Sequence, residues 1–512
     1  MKRVRSSINS LAAIAASLTI GAATLPNSSW AQAQSGGELT YGIQFLISPT
    51  DMINHKASID LIPGLNIYDA LYRTNLDGSI VPWLAEETTI SPDGLKWTLK
   101  LRKGVKFHDG TAFNAEAVKW NLETRRRPSF LLSSQMKSIA AINVIDEGTV
   151  ELVLSEPVAA LKVVLSSPAF GMQSPTAFQK YPNPADYASH AAGTGPFKLS
   201  GSPVTTSQLE LVRNDEYWAG KPRLDRLAFQ AMPDESSRVA ALEADDIQYT
   251  PIPVSDINRL KSSNAVKLLL TDRPVGNHYV FINQREKFLA DKRVRQALSY
   301  AINQDDLAKL MFGAGQPADS IVPASVVGYS AGNPYKYDPA KAKQLLAEAG
   351  VPAKTKLKLM TFPATQLLTF AQLVKQQLDA VGFDVTIDVR DLAGWNSAMA
   401  NPGEWQLSMA VAPPHYPDVQ AIYLLYLASS SSSNWGGYNN PEVDKLLVEQ
   451  SKTMDPAARQ KLFDRIQELV YSDAAIIPFS AYRISHATTS KVNDVQLQGV
   501  FAVYFDRAWL RK

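Results

Sequence analysis

Catalysis in a chain without cysteine has to rest on histidine, serine, lysine or carboxylates. The six histidines, His55, His108, His190, His278, His415 and His486, are scattered through the sequence. No two stand four apart, the spacing that turns two imidazoles of one helix toward a zinc ion, and no preformed metal site is expected. Ser134-Gln135-Met136-Lys137 has the S-x-x-K spacing of a serine nucleophile with a lysine base, but the S-D-N and K-T-G elements that complete such a site are missing. Gly313-Ala314-Gly315 followed by Ala318 approximates a dinucleotide fingerprint. It comes after a helical pattern where that fingerprint demands a strand, and reads as a loop. Neither a G-x-S-x-G elbow nor a phosphate-cradling G-x-x-x-x-G-K occurs. A secreted hydrolase would need a nucleophile, a base and oxyanion donors that are not assembled, so the chain is expected to be no enzyme and to carry no cofactor.

The surrounding elements are legible from periodicity. After the turn Pro92-Asp93-Gly94, Trp97, Leu99 and Leu101 alternate with polar residues, which predicts a half-buried strand, and Val150, Leu152 and Leu154 predict another. Asn114 caps a predicted helix through Leu122. Residues 356–360, 369–380 and 384–390 read as strand, helix and strand, with Gly382 as the stop, and a crossover of that length implies parallel pairing. Asp338-Pro339, Asn440-Pro441 and Asp455-Pro456 each place a capping side chain before a proline at the first helical position. The serine run 429–433 reads as a flexible loop.

The amino terminus carries Lys2, Arg3 and Arg5, an apolar run over 11–25 and small-residue sites ending at Ala33, the layout of a secretory signal peptide. Cleavage there removes three of 51 basic residues and none of the 49 acidic ones, leaving 48 against 49, a net charge of −1. A near-neutral surface argues against a sequence-independent nucleic-acid binder. The apolar run is too short for a comfortable span, and nothing downstream is a membrane span, so no membrane insertion is expected. With no cysteine to carry a lipid, the mature chain should diffuse freely, which makes a Gram-negative periplasm its natural compartment. A mature length of this order suggests two or three lobes.

One long block, Ser91-Pro92-Asp93-Gly94-Leu95-Lys96-Trp97-Thr98-Leu99 through Gly104-Val105-Lys106-Phe107-His108-Asp109-Gly110, is followed by Phe113-Asn114-Ala115-Glu116-Ala117-Val118. Further blocks are Gly193-Thr194-Gly195-Pro196-Phe197, Asn214 with Tyr217-Trp218, Arg293-Val294-Arg295-Gln296-Ala297-Leu298, Tyr337-Asp338-Pro339, and 438–447. In this order they resemble the extracytoplasmic solute-binding proteins of peptide and nickel ABC importers, family 5, over essentially the whole mature chain.

The resemblance implies an α/β, two-lobed periplasmic binding protein fold of the cluster C type, with a small inserted α/β subdomain and a two-strand hinge. With 1–33 read as the signal peptide, it assigns 34–72, 189–275 and 480–512 to lobe I, 73–188 to the inserted subdomain and 276–479 to lobe II. It implies a monomer that closes over an oligopeptide or peptide-like solute and delivers it to ABC permease subunits. An opine, a sugar conjugate or a metal chelate is the alternative cargo. Closure follows because a ligand touching both lobes binds the closed state better.

In peptide-binding relatives an acid in the segment resembling Pro414-His415-Tyr416-Pro417-Asp418 anchors the ligand's amino group. Here His415 occupies that position and Asp418 matches the second acid. Imidazole cannot neutralise an ammonium group, so His415 either meets a different ligand or is a loop histidine bonded to backbone. Trp395 matches a tryptophan that lines the pocket in relatives, where a flat ring gives area at little entropic cost. Trp435 is a cleft wall or a packing residue. Arg127 and Phe130 fall in a region that reaches the cleft in some relatives, and an arginine fork suits a carboxylate or phosphate. Thr194 sits in a glycine-flanked loop that serves the ligand or only the turn.

Overall fold

The structure is a computed structural model that describes residues 35–511 apart from 48, 55–57, 76–77, 131, 415 and 500–501, so the expected signal peptide and His415 lie outside the described residues. In the strand Glu38–Ile43, Leu39, Tyr41 and Ile43 are buried while Glu38 faces solvent, the period of two that a one-sided strand requires. It pairs in parallel with Arg226–Ala231 and Tyr249–Pro251. Seven strands follow in the order Val266–Leu270, Ser485–Thr489, Tyr249–Pro251, Glu38–Ile43, Arg226–Ala231, Gln208–Arg213 and Phe197–Leu199. A six-stranded sheet runs Gly315–Pro317, Ile476–Tyr482, Gly276–Ile282, Leu407–Ala412, Thr355–Thr361 and Phe383–Val389. Every residue of Gly276–Ile282 is buried, as expected of a strand covered on both faces.

A four-stranded antiparallel sheet, Ala85–Ile90, Lys96–Leu101, Thr149–Leu154 and Ile139–Asp146, is inserted in the chain between two strands of the seven-stranded sheet. Its helix Ala115–Thr124 starts where Asn114 accepts the Ala117 amide at 3.0 Å. The helices Pro339–Glu348, Pro441–Lys452 and Pro456–Ser472 begin at the three predicted cap-proline pairs, with Asp338, Asn440 and Asp455 accepting first-turn amides. Thr355–Thr361, Thr365–Ala380 and Phe383–Val389 form the predicted parallel crossover unit. The serine run 429–433 lies in the predicted loop, and its serines are hydrogen-bonded. Ser429 bonds the Asp444 carboxylate, at the start of the next helix, through its amide at 2.9 Å and its hydroxyl at 2.5 Å, and Ser431 donates to the Leu425 carbonyl.

The chain passes between the two large sheets through residues 271–275 and 483–484. The Thr271 amide donates to the Ile484 carbonyl at 3.2 Å, the Ile484 amide to Thr271 Oγ1 at 3.2 Å, and the Val275 amide to the Tyr482 carbonyl at 2.9 Å. Whereas the sequence reading divides the lobes at 275/276 and 479/480, the strand Ile476–Tyr482 continues past the second of these points. A Cβ at Gly276 would lie 2.3 Å from the Tyr482 hydroxyl, so a larger residue here would have to push that ring aside.

The lobes also meet away from the crossing. The Ala159 amide of the inserted subdomain donates to the Ser451 carbonyl at 2.9 Å, and Lys452 Nζ lies 2.9 Å from Glu156 Oε2. Met454 packs against the subdomain's core. An exposed pair contributes up to about 1 kcal/mol. Lys452→Glu is therefore expected to shift the balance between closed and open forms by up to about fivefold toward open. X-ray scattering checks this as a larger radius of gyration in dilute buffer, and an unchanged curve would show that Lys452 does not hold the lobes together.

Candidate functional site

A cavity of about 270 Å³ lies between the lobes beside the crossing strands. Lobe I contributes Leu61 and the carboxy-terminal hairpin around Leu497, Gln498 and Tyr504. The inserted subdomain adds Thr74, Asn75 and Ser167, the crossing adds Thr271, Asp272 and Arg273, and lobe II adds Ser325, Val326, Pro414, Tyr416 and Pro417. A molecule held there touches both lobes and the strands that join them.

The lobe II wall is set by Asp418, though not as the sequence suggested. Its carboxylate has no exposed surface and is held by both terminal nitrogens of Arg459, at 2.6 and 3.0 Å, while also accepting the Gln420 amide. Gln450 Oε1 receives a further Arg459 donor at 2.9 Å. The charge of Asp418 is neutralised inside the lobe, which removes it as an anchor for a cationic group. What the pair does instead is fix residues 416–419, and that segment is zipped to a neighbouring strand-like run. The Val327 amide donates to the Pro417 carbonyl at 2.9 Å and the Val419 amide to the Val327 carbonyl at 3.0 Å. Tyr416 is thereby held on the cavity wall, and burial pushes its phenol pKa up.

On the lobe I side, Asp69 gathers Trp83 Nε1 at 2.7 Å, Trp218 Nε1 at 2.9 Å, the Tyr217 hydroxyl at 3.0 Å and the Thr194 hydroxyl at 3.0 Å. Burial raises the pKa of Asp69, and its hydrogen bonds oppose that rise. Thr194 is fully buried and spends its hydroxyl on Asp69, so it braces the wall from behind rather than facing a ligand. Arg73 pairs with Asp506 at 2.8 Å and lies 4.0 Å from the ring centre of Tyr504, which lines the cavity.

Trp395 and Trp435 are brought together, edge to face at 5.6 Å, but among aromatic neighbours of lobe II. Trp395 donates to Ser408 Oγ at 3.0 Å and meets Phe362, while Trp435 meets Phe281 and Tyr426, and neither is among the cavity's lining residues. In the inserted subdomain Phe130 is buried edge-on against Phe170, 5.3 Å away, because its ring completes that core. Arg127 is exposed and outside the cavity wall. The basic run is split by burial. Arg125 has no exposed surface, donates to the carbonyls of Ala169, Gly171 and Asn121, and has its pKa lowered to about 10 by desolvation.

Sequence reasoning missed Ser167, Arg273, Gln498 and Tyr504. Only Asp272-Arg273-Pro274 left a trace, as two charges and a proline next to the expected lobe boundary. The other three stand in no motif and reach the cavity through separate parts of the fold.

Residues 79–434 match the family model described as bacterial extracellular solute-binding proteins, family 5 Middle. The chain is similar to the glutathione-binding protein GsiB of Shigella flexneri, 31% identical over 455 residues that cover 82% of this chain and 84% of that protein. Its fold is that of the ABC transporter substrate-binding protein CtaP from Listeria monocytogenes, with a TM-score of 0.86 and 23% identity over 93% of this chain and 100% of the other. The periplasmic binding protein DppA from Helicobacter pylori, in complex with the peptide STSA, superposes with a TM-score of 0.78 and 26% identity, covering 94% and 99%. Two lobes joined by two crossing strands, a cavity between them and a family match over most of the sequence lead to one assignment: the chain belongs to the bacterial extracellular solute-binding proteins of family 5.

Proposed function

We propose that the chain is the periplasmic receptor of an ABC importer, exported by a cleaved signal peptide, and that as a monomer it captures a small peptide-like solute in the interlobe cavity and hands it to the permease. The observation that carries this reading is the placement of the cavity, walled by lobe I, lobe II and the crossing strands together. A solute that touches all three has a differential affinity for the closed form, which is what a permease can read. A volume of about 270 Å³ is near the small end of ligand pockets, roughly 300–1,000 Å³, and suits a di- or tripeptide better than an extended chain. Likeness to a glutathione-binding relative supports the same size class. No chemistry on the solute is part of this reading.

The test is mass spectrometry of small molecules released from the purified protein, followed by thermal unfolding with glutathione and a set of di- and tripeptides. A cognate solute at ~100 times its dissociation constant adds roughly 2.7 kcal/mol of stability. It should also compact the scattering profile and be recovered unchanged after long incubation. A solute that is converted to product, or that stabilises without changing the scattering curve, would refute the receptor reading.

A further inference from the structure

Resting on the reading of the interlobe cavity as the solute site, we propose that Arg273, on the segment that joins the lobes, anchors a carboxylate of the solute, and that the receptor selects acidic peptide-like molecules over their neutral amides. The charge inventory of the cavity carries this. Among its described lining residues only Asp272 and Arg273 bear charges, the rest being hydroxyl, amide and apolar groups. The other acid expected there, Asp418, is neutralised by Arg459.

Other arginines near the lobe contacts already have partners. Arg73 is paired with Asp506, Arg459 with Asp418, and Arg125 with three carbonyls. Arg273 makes no ion pair with any described residue, while its backbone is fixed by the Thr271 hydroxyl donating to its carbonyl at 3.0 Å and by the buried Pro274 that follows. A planar fork of donors on an anchored backbone matches a carboxylate in two-point geometry.

Two further groups point to a ligand independently. Ser167 Oγ is buried at 2% residue exposure and has no partner among the described residues, and Gln498 Oε1 is buried without one. Both residues line the cavity. A buried hydroxyl and amide oxygen left unmet are costly in a finished core, and here they offer acceptors to the N–H groups of a peptide-like solute. Asp272 stands beside Arg273 and offers the solute's ammonium a counter-charge, so the preferred cargo is a zwitterion with a free carboxylate. An anion gripped at the crossing strand, with its amides held by Ser167 of the inserted subdomain and its body against Tyr416 of lobe II, ties occupancy to closure.

Calorimetric titration of glutathione and of tri-alanine, each as the free acid and with every carboxylate converted to the amide, tests this on the parent and on Arg273→Gln. Arg273 is exposed and makes no ion pair with a described residue, so the variant should unfold at the parent's temperature in the absence of solute. The parent should bind at least one free acid 10- to 100-fold more tightly than its amide, and Arg273→Gln should erase that preference while leaving amide binding within about twofold. Ser167→Ala should weaken acid and amide alike, by about fivefold. If the parent binds acid and amide equally, or if Arg273→Gln keeps the preference, the anchor is wrong and the receptor reading stands. If the parent binds none of the four probes, the assignment of a peptide-like solute fails and the anchor with it.

Discussion

Arg459→Met should lower the free energy of unfolding of lobe II by about 3–5 kcal/mol, because it leaves the Asp418 carboxylate buried with no counter-charge. The pair is one of the few buried ion pairs described, with side-chain exposures of 7% and 0%, and its two direct bonds are backed by Gln420 and Gln450. Removing one partner is costlier than removing both. Asp418→Leu combined with Arg459→Met should recover much of the loss, since an apolar pair of similar volume carries no stranded charge. Solute binding should fall with the single variant as well, because residues 416–419 no longer present Tyr416 to the cavity. Denaturant titration followed by a lobe II fluorophore checks the first effect and calorimetry the second. An Arg459→Met protein as stable as the parent would mean that this pair does not fix the cavity wall.

Acid should destabilise the protein well before its carboxylates titrate. His278 and His486 are buried, and desolvation lowers their pKa values to about 4 and about 3. His278 packs against Phe370, Phe479 and Tyr482, and His486 Nδ1 lies 2.6 Å from the Tyr249 hydroxyl. In the unfolded chain both take up a proton near pH 6.5, while in the folded chain they stay neutral. The unfolded state therefore binds more protons between pH 6.5 and about 4, and stability falls as the pH falls through that window. Each histidine contributes a slope of about 1.4 kcal/mol per pH unit, so these two should cost roughly 4 kcal/mol between pH 7 and pH 5, and the half-buried His108, which desolvation also lowers to about 4, adds about 2 kcal/mol more. Thermal unfolding at half-unit steps measures this. His278→Gln should remove about a third of the slope, and a melting temperature flat from pH 7 to pH 5 would show that these side chains charge without unfolding.

Those two effects lie at opposite ends of what the sequence could reveal. The three capped helices, the crossover unit over 355–389 and the alternating strands of the inserted sheet rest on contacts within a few residues. A cap bonds its own first turn, and a period of two or 3.6 sorts side chains between core and solvent without reference to the rest of the chain. The family resemblance drew on those same local blocks, and the family and fold it implied are found here.

The cavity answers to different rules. Arg459 meets Asp418 across 41 residues, Arg73 meets Asp506 across 433, and Thr194 meets Asp69 across 125. Each pairing turned a residue with plausible ligand chemistry into a brace, or a brace into a wall, and no spacing in the chain announces it. Phe130 and Arg125 were separated from Arg127 in the same way, by which side of one short turn faces the subdomain core. The sequence by itself determined the elements, their caps and the family, because those depend on short-range periodicity and hydrogen bonding. Which side chains face the solute was decided only by tertiary structure, because a buried charge or hydroxyl goes to whichever distant partner folding brings within 3 Å.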